Sequence, residues 1–277
     1  RETTTRMTAE MSITTSEYTT GDVLYQVTDG IATITLNRPA QRNALSVAAA
    51  TRLHSLWGEV DADPSVRVLV LDAAECGTFC AGMDLKEAAE IRRTRGVDIL
   101  DVLPDPFYER MRAVRKPIIA AMTGHFAAGG MVLSLNADLR VGLAGTRGGI
   151  TEAKVGRGSP WGVPLLWMIP QPILMELTLT AEMMSIERLH QLGFVNYVEP
   201  TVQAVRDRAL ALAGRIRDNA PLSVMAGKES ILRAMTLGCD GGLASAKQLY
   251  KRVYASDDAQ EGPRAFAEKR APRWTGK

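Results

Sequence analysis

Two continuous apolar runs constrain this chain more than any other feature: "VRVLVLD", beginning at Val66, and "KPIIAAM", beginning at Lys116. Strands that are apolar at every position are buried on both faces, as parallel sheets covered by helices require. Each run follows a segment with helical spacing. Ser46 is placed to cap a helix whose apolar residues are Ala49, Leu53, Leu56, Trp57 and Val60, and "YERMRAVR" precedes the second run. Ahead of both, "VLYQVTDGIATITLNRP" alternates around a "DG" turn and reads as a hairpin. The first run enters the loop "AAECGTFCAGMD" and a charged helix, "LKEAAEIRRTR". The second enters the loop "TGHFAA", a helix opened by Gly129 and Gly130, and the strand "LRVGLAG". Strands alternating with helices define an α/β protein.

Beyond Pro200 the pattern becomes purely helical. Val202, Val205, Ala209, Leu212 and Ile216 line one face, and "PLSVMAGKESILRAMTLG" and "LASAKQLYKRVYAS" read as two more helices. Their apolar faces must be covered by the core or by another copy of the chain. The chain therefore divides into a mobile N-terminal lead (1–20), a core (21–200) and a helical C-terminal region (201–277).

Composition narrows the partners. The net charge is +2 and no Lys/Arg run exceeds two residues, so neither a nucleic-acid surface nor an anionic membrane surface is expected. No apolar run approaches the length of a bilayer crossing. Cys76, Cys80 and Cys239 are odd in number and lack ligand spacing, and only three histidines are present, so no metal site is expected. Reduced thiols fit a cytoplasmic protein.

A helix opened by Gly129 and Gly130 leaves backbone N–H groups unpartnered and carries partial positive charge, a natural seat for negative charge. Around it stand "ITLNRPAQRNALS", "RVLVLDAAECGTFCAGMDLKE" and "KPIIAAMTGHFAAGGMVLSLNADLR", followed by "TEAKVGRG", "LGFVNYV" and "APLSVMAGKESI". In this order the stretches resemble the crotonase (enoyl-CoA hydratase/isomerase) superfamily, from about Val23 to the end of the chain. The resemblance implies an α/β, crotonase-like spiral of stacked β-β-α units, an acyl-CoA-binding core and a helical C-terminal trimerisation region. It also implies a homotrimer or dimer of trimers. The substrate would be an acyl-CoA thioester, with coenzyme A part of that substrate and no separate cofactor.

By the same resemblance, the amides of Met83 and Gly129 form an oxyanion hole for the thioester oxygen. Prepositioned donors at a helix start suit an oxygen that gains charge during reaction. The substrate-binding residues would be Ala44, Ala81, Asp84, Leu85, Ala128 and Thr151, with Trp161 at the acyl end. Arg42 and Lys86 are candidate phosphate partners, with solvated surface charge the equal alternative.

The acid/base group departs from the hydratase pattern of two glutamates. Ungapped alignment puts Val132 at the first position and Glu152 at the second. One carboxylate moves a proton between two carbons, whereas addition of water benefits from two groups, so isomerisation is expected over full hydration. Taken alone, Glu152 could instead be an exposed carboxylate balancing Lys154 or Arg157. His125, on the glycine loop, is the second titratable candidate. Other chemistries of the scaffold stay open, namely aromatic acyl-CoA hydration-lyase action, C–C bond hydrolysis and thioester hydrolysis. So does a catalytically silent or RNA-binding homologue, which would need a concentrated basic face.

Overall fold

The "DG" turn behaves as its residue types require. Asp29 (φ 49°) and Gly30 (φ 74°) both adopt positive φ, joining strands β1 (Val23–Thr28) and β2 (Ile31–Leu36) in an antiparallel hairpin with Thr28 opposite Ile31. The structure, a computed structural model, describes residues 21–277; the lead expected over 1–20 lies outside the described residues.

Helix α1 (Val47–Ala62) begins where Ser46 accepts the Ala49 N–H at 3.0 Å, and it returns the chain to β3 (Val68–Ala73), parallel to β2. There follow β4 (Thr78–Cys80), α2 (Leu85–Arg95), α3 (Glu109–Ala113), β5 (Ile118–Met122), β6 (His125–Ala127), α4 (Gly129–Asn136), β7 (Leu139–Leu143) and β8 (Arg147–Gly149). Next come α5 (Gln171–Thr180), β9 (Met184–Ser185), α6 (Ile186–Gln191) and β10 (Tyr197–Glu199). The chain finishes with α7 (Val202–Arg217), α8 (Pro221–Tyr254) and α9 (Asp257–Ala267).

The strands make two sheets. The larger has the order β1-β2-β3-β5-β7-β10 and is parallel from β2 onward; the smaller has the order β4-β6-β8-β9. Both long apolar runs supply central strands of the larger sheet, and those strands, β3 and β5, are buried at every position. On its inner side Leu69, Leu71, Ile118 and Ala120 meet Leu53 and Trp57 of α1 and a layer containing Phe79, Phe126 and Leu133. On its outer side Val68, Val70, Ile119, Ala121 and Val141 are covered by Val205, Ala209 and Ala213 of α7. Each large apolar side chain so buried is worth about 1.5–3 kcal/mol.

Two stretches expected to be loops contain strands instead, β4 within "AAECGTFCAGMD" and β6 within "TGHFAA". Strands of three residues are too short to display a period. The long terminal segment α8 breaks at Gly238 (φ 68°, ψ −175°), where the first of the two stretches read as helices ends. Asp138, following α4, is structural: its carboxylate accepts the Ile118 N–H at 2.7 Å and pairs with Lys228 at 2.8 Å.

Candidate active site

The smaller sheet brings three distant parts of the chain to one edge. β4, β6 and β8 run parallel, with Cys80 beside Phe126 and Phe126 beside Gly148. All three strands therefore end together. Met83 and Gly129 each lie three residues past that paired row, and Glu152 lies four past it. The carboxyl ends of parallel strands are where open α/β sheets place their ligands.

The first loop is held from several sides. Leu45 donates its N–H to the Gly82 carbonyl at 2.7 Å and accepts the Asp84 N–H at 3.0 Å. These bonds bracket Met83 and, in the alternation of a parallel bridge, turn its own N–H away from Leu45. Asn43 reinforces the loop, donating to the carbonyls of Ala74 and Thr78 at 2.9 and 2.8 Å. Arg38 binds Asp84 at 2.9 Å, Asp22 at 3.1 Å and the Ala44 carbonyl at 2.7 Å. Asp84 in turn caps α2 through the N–H groups of Lys86 and Glu87. Burial pushes the Asp84 carboxyl up, but the Glu87 N–H and the Arg38 guanidinium outweigh it, and the net pKa is below the ordinary value. Arg38 and Asn43 both stand in "ITLNRPAQRNALS", and nothing in that stretch alone announces these contacts.

The second loop presents Gly129 through an unusual backbone. Ala128 sits at φ 50°, ψ −116°, a region non-glycine residues rarely occupy. Close approach explains the neighbouring glycine: a Cβ on Gly130 would lie 2.3 Å from the Cys80 carbonyl oxygen. A Cβ on Gly82 would lie 2.8 Å from the Ala128 Cβ and 3.1 Å from the Gly129 nitrogen, so the two loops touch. Among the described residues neither the Met83 nor the Gly129 N–H has a hydrogen-bond partner.

The third strand leads to Glu152, which opens the turn Glu152–Val155 and is 8% exposed. Its Oε2 is buried without a hydrogen-bond partner. Burial raises the carboxyl pKa, and backbone N–H groups of Glu152 and Thr151 and the side chain of Trp161 only partly oppose the rise. The charges that could have balanced it are engaged elsewhere, Lys154 with Glu182 at 2.7 Å and Arg157 with Asp98 at 2.6 Å. Val132 is fully buried in α4.

The remaining candidates separate. Ala44 is buried; Ala128, Thr151 and Trp161 are half-buried; Ala81, Leu85, Arg42 and Lys86 are exposed. His125 is exposed on β6, and its Nδ1 accepts the Arg147 N–H at 3.0 Å. Cys80 is buried and its thiol is pushed up to about 12 by burial, so it packs as a neutral group.

The fold and the site define an α/β protein with two unpartnered amides and a buried carboxyl at the ends of three parallel strands. Residues 26–277 match the enoyl-CoA hydratase/isomerase family. The chain is 37% identical to enoyl-CoA hydratase EchA19 of Mycobacterium tuberculosis, over 87% of this chain and 91% of that one. It is 34% identical to (E)-benzylidenesuccinyl-CoA hydratase of Thauera aromatica, over 92% of this chain and 99% of that one. The crystal structure of an enoyl-CoA hydratase from M. tuberculosis H37Rv superposes with a TM-score of 0.82 at 37% identity, covering 92% of this chain and 99% of the other. The chain belongs to the enoyl-CoA hydratase/isomerase family of the crotonase superfamily.

Proposed function

We propose that the protein acts on an acyl-CoA thioester through an enolate held by the amides of Met83 and Gly129, with Glu152 as the acid/base. The observation that carries this reading is the buried, unpartnered Oε2 of Glu152 on the same sheet edge as two unpartnered amides. An orphaned buried carboxylate oxygen costs about 1–3 kcal/mol, which a folded chain tolerates where the atom has work to do. A raised pKa brings the carboxyl closer to neutrality, where proton uptake and return are both efficient.

With Val132 in place of a second carboxylate, the favoured reaction is double-bond isomerisation. Glu152 takes the proton from the carbon beside the thioester, the electron pair moves to the thioester oxygen, and the proton returns at the γ carbon. Coenzyme A belongs to the substrate, and the chemistry needs no further cofactor. The second reading is hydration of an aromatic acyl-CoA. Trp161 beside Glu152 favours it, as does the similarity to a hydratase whose name carries an aromatic acyl group.

The assembly is proposed to be a homotrimer or dimer of trimers. Ile231 of α8 and Phe266 of α9 are 70% and 87% exposed, Trp167 at the end of the turn 160–167 is 58% exposed, and light scattering reads the mass directly. The functional test follows exchange of α and γ protons with D2O in 2-enoyl-, 3-enoyl- and aromatic acyl-CoAs. Glu152→Gln is expected to slow exchange about 10²–10⁴-fold while thioester affinity changes little. Exchange as fast as in the parent overturns the assignment of Glu152.

A further inference from the structure

The chain between α2 and α3 forms a strap that is tied at both ends. At its far end Trp57 donates to the Pro106 carbonyl at 2.7 Å, His54 Nδ1 bonds the Asp105 carbonyl at 2.9 Å, and Asn136 donates to the Phe107 carbonyl at 2.8 Å. The Phe107 ring there comes within 3.2 Å of where a Cβ on Gly129 would sit. This end leans on α1, on α4 and on the oxyanion glycine.

The near end is a short turn, Ile99–Asp101. Asp98 caps it, accepting the Leu100 N–H at 2.9 Å, and Ile99 is buried beneath. Arg157 grips the same carboxylate with both prongs, Nη1 to Oδ2 at 2.6 Å and Nη2 to Oδ1 at 2.7 Å. Arg157 also donates its backbone N–H to the Glu152 carbonyl at 3.0 Å. The guanidinium is thus rooted in the turn that carries the catalytic carboxyl, and it reaches across to the strap. Between the two ties Val102, Leu103 and Pro104 are half-buried. Val102 and Leu103 donate to the Ile99 carbonyl of the near turn at 3.1 and 2.8 Å, and among the described residues no hydrogen bond ties these three to anything outside the strap.

We propose that the Arg157–Asp98 fork is a latch that fixes the acyl-facing wall of the site, so that these two positioning residues set which acyl chains are accepted. The proposal rests on the acyl-CoA reading above. The side chains of the pair are 29% and 41% exposed, and ion pairs of that exposure contribute little to stability. What a two-pronged pair supplies is orientation. The wall it orients runs from the Glu152 turn to Phe107 above Gly129, alongside the space an acyl chain must occupy. Apolar walls discriminate chains roughly 10–200-fold per methylene, and only while they hold their shape.

The test compares the parent with Arg157→Ala, Asp98→Asn and Arg157→Lys. Asp98→Asn keeps an acceptor for the Leu100 N–H and so guards against simple unfolding of the turn. The readouts are kcat/KM across short-, medium- and long-chain enoyl-CoAs, Tm, and amide hydrogen exchange over 98–104 in the free protein. Arg157→Ala and Asp98→Asn are expected to narrow the spread of kcat/KM between best and worst chain about tenfold. They should speed exchange in the strap and leave Tm within a few degrees. Arg157→Lys should recover only part of the spread, because an ammonium cannot form the fork. A parent-like chain-length profile in both Arg157→Ala and Asp98→Asn, or a changed profile without faster exchange over 98–104, overturns the latch. A parent that processes no acyl-CoA overturns the functional reading instead. In that case unchanged strap exchange in Arg157→Ala would still overturn the latch, and accelerated exchange would support it.

Discussion

The two sheets divide the work of the molecule between them. The six-stranded sheet is built from strands of five and six residues at its centre, apolar on both faces and closed by α1 on one side and α7 on the other. The four-stranded sheet is built from strands of two and three residues. At its edge gather Ala128 at positive φ, two unpartnered amides and a buried carboxyl with an orphaned oxygen. One sheet supplies stability and, apart from the buried Oδ1 of Asp72 in β3, leaves no buried side-chain polar atom unpartnered among the described residues. The other keeps groups unsatisfied where a ligand can satisfy them, and it depends on the first for rigidity.

Substitutions that damage the two sheets should therefore register on different instruments. Leu71→Ala in β3 empties a fully buried position and is expected to cost roughly 2–5 kcal/mol, read as a fall in the denaturation midpoint. Activity per folded molecule should stay near that of the parent. Gly130→Ala should do the reverse. Its Cβ would strike the Cys80 carbonyl oxygen at 2.3 Å, shifting the start of α4 and with it the Gly129 amide. The expected loss is about 10²–10³-fold in turnover, the scale of removing one oxyanion donor. A turnover change below threefold would show that the amide at Gly129 is not needed.

Arg38→Ala tests the joint between the regions, because Arg38 leaves β2 of the larger sheet and holds Asp84 beside Met83. Losing charged hydrogen bonds of this kind costs about 1.5–3 kcal/mol each. Stability and turnover should fall together, and a variant in which only one falls would argue that the sheets are less coupled than their shared guanidinium suggests.

The smallest effect concerns pH. Glu152 has a raised pKa in the folded chain, so the folded state holds its proton more tightly than the unfolded one. Its burial is harmless below the ordinary value of 4.5 and costs stability as pH climbs toward and past the raised value. Glu152→Gln removes that cost. Its Tm relative to the parent should rise across this window and then level off, and a difference independent of pH would contradict the burial of the charge.

The same contrast explains what could be read without coordinates. The central strands were legible because complete burial writes itself into a continuous apolar run, and α1 because Ser46 and its apolar spacing agree. β4, β6, β8 and β9 carry no such signature in two or three residues, so the stretches that hold β4 and β6 read as loops and β8 and β9 are not announced at all. Glu152 and the two amides entered through family resemblance; no local pattern around Glu152 announces that it is buried. Asp98 and Arg157, like Arg38 and Asp84, lie far apart in sequence and belong to different elements. Nothing in either neighbourhood says that the two will meet. Val132 could be noticed as an apolar residue in the first carboxylate position only because a pattern with two glutamates was at hand for comparison.

That the three chemical groups end three separate parallel strands has a consequence for how the molecule comes into being. Met83, Gly129 and Glu152 share no turn or helix, and they meet only when β4, β6 and β8 have paired across long stretches of chain. Pairings of that kind close large loops and form late in folding. A partly folded chain can then own a collapsed core and most of its helices while having no site at all. During refolding, recovery of proton transfer should trail recovery of buried tryptophan fluorescence, and half-made molecules would be chemically inert.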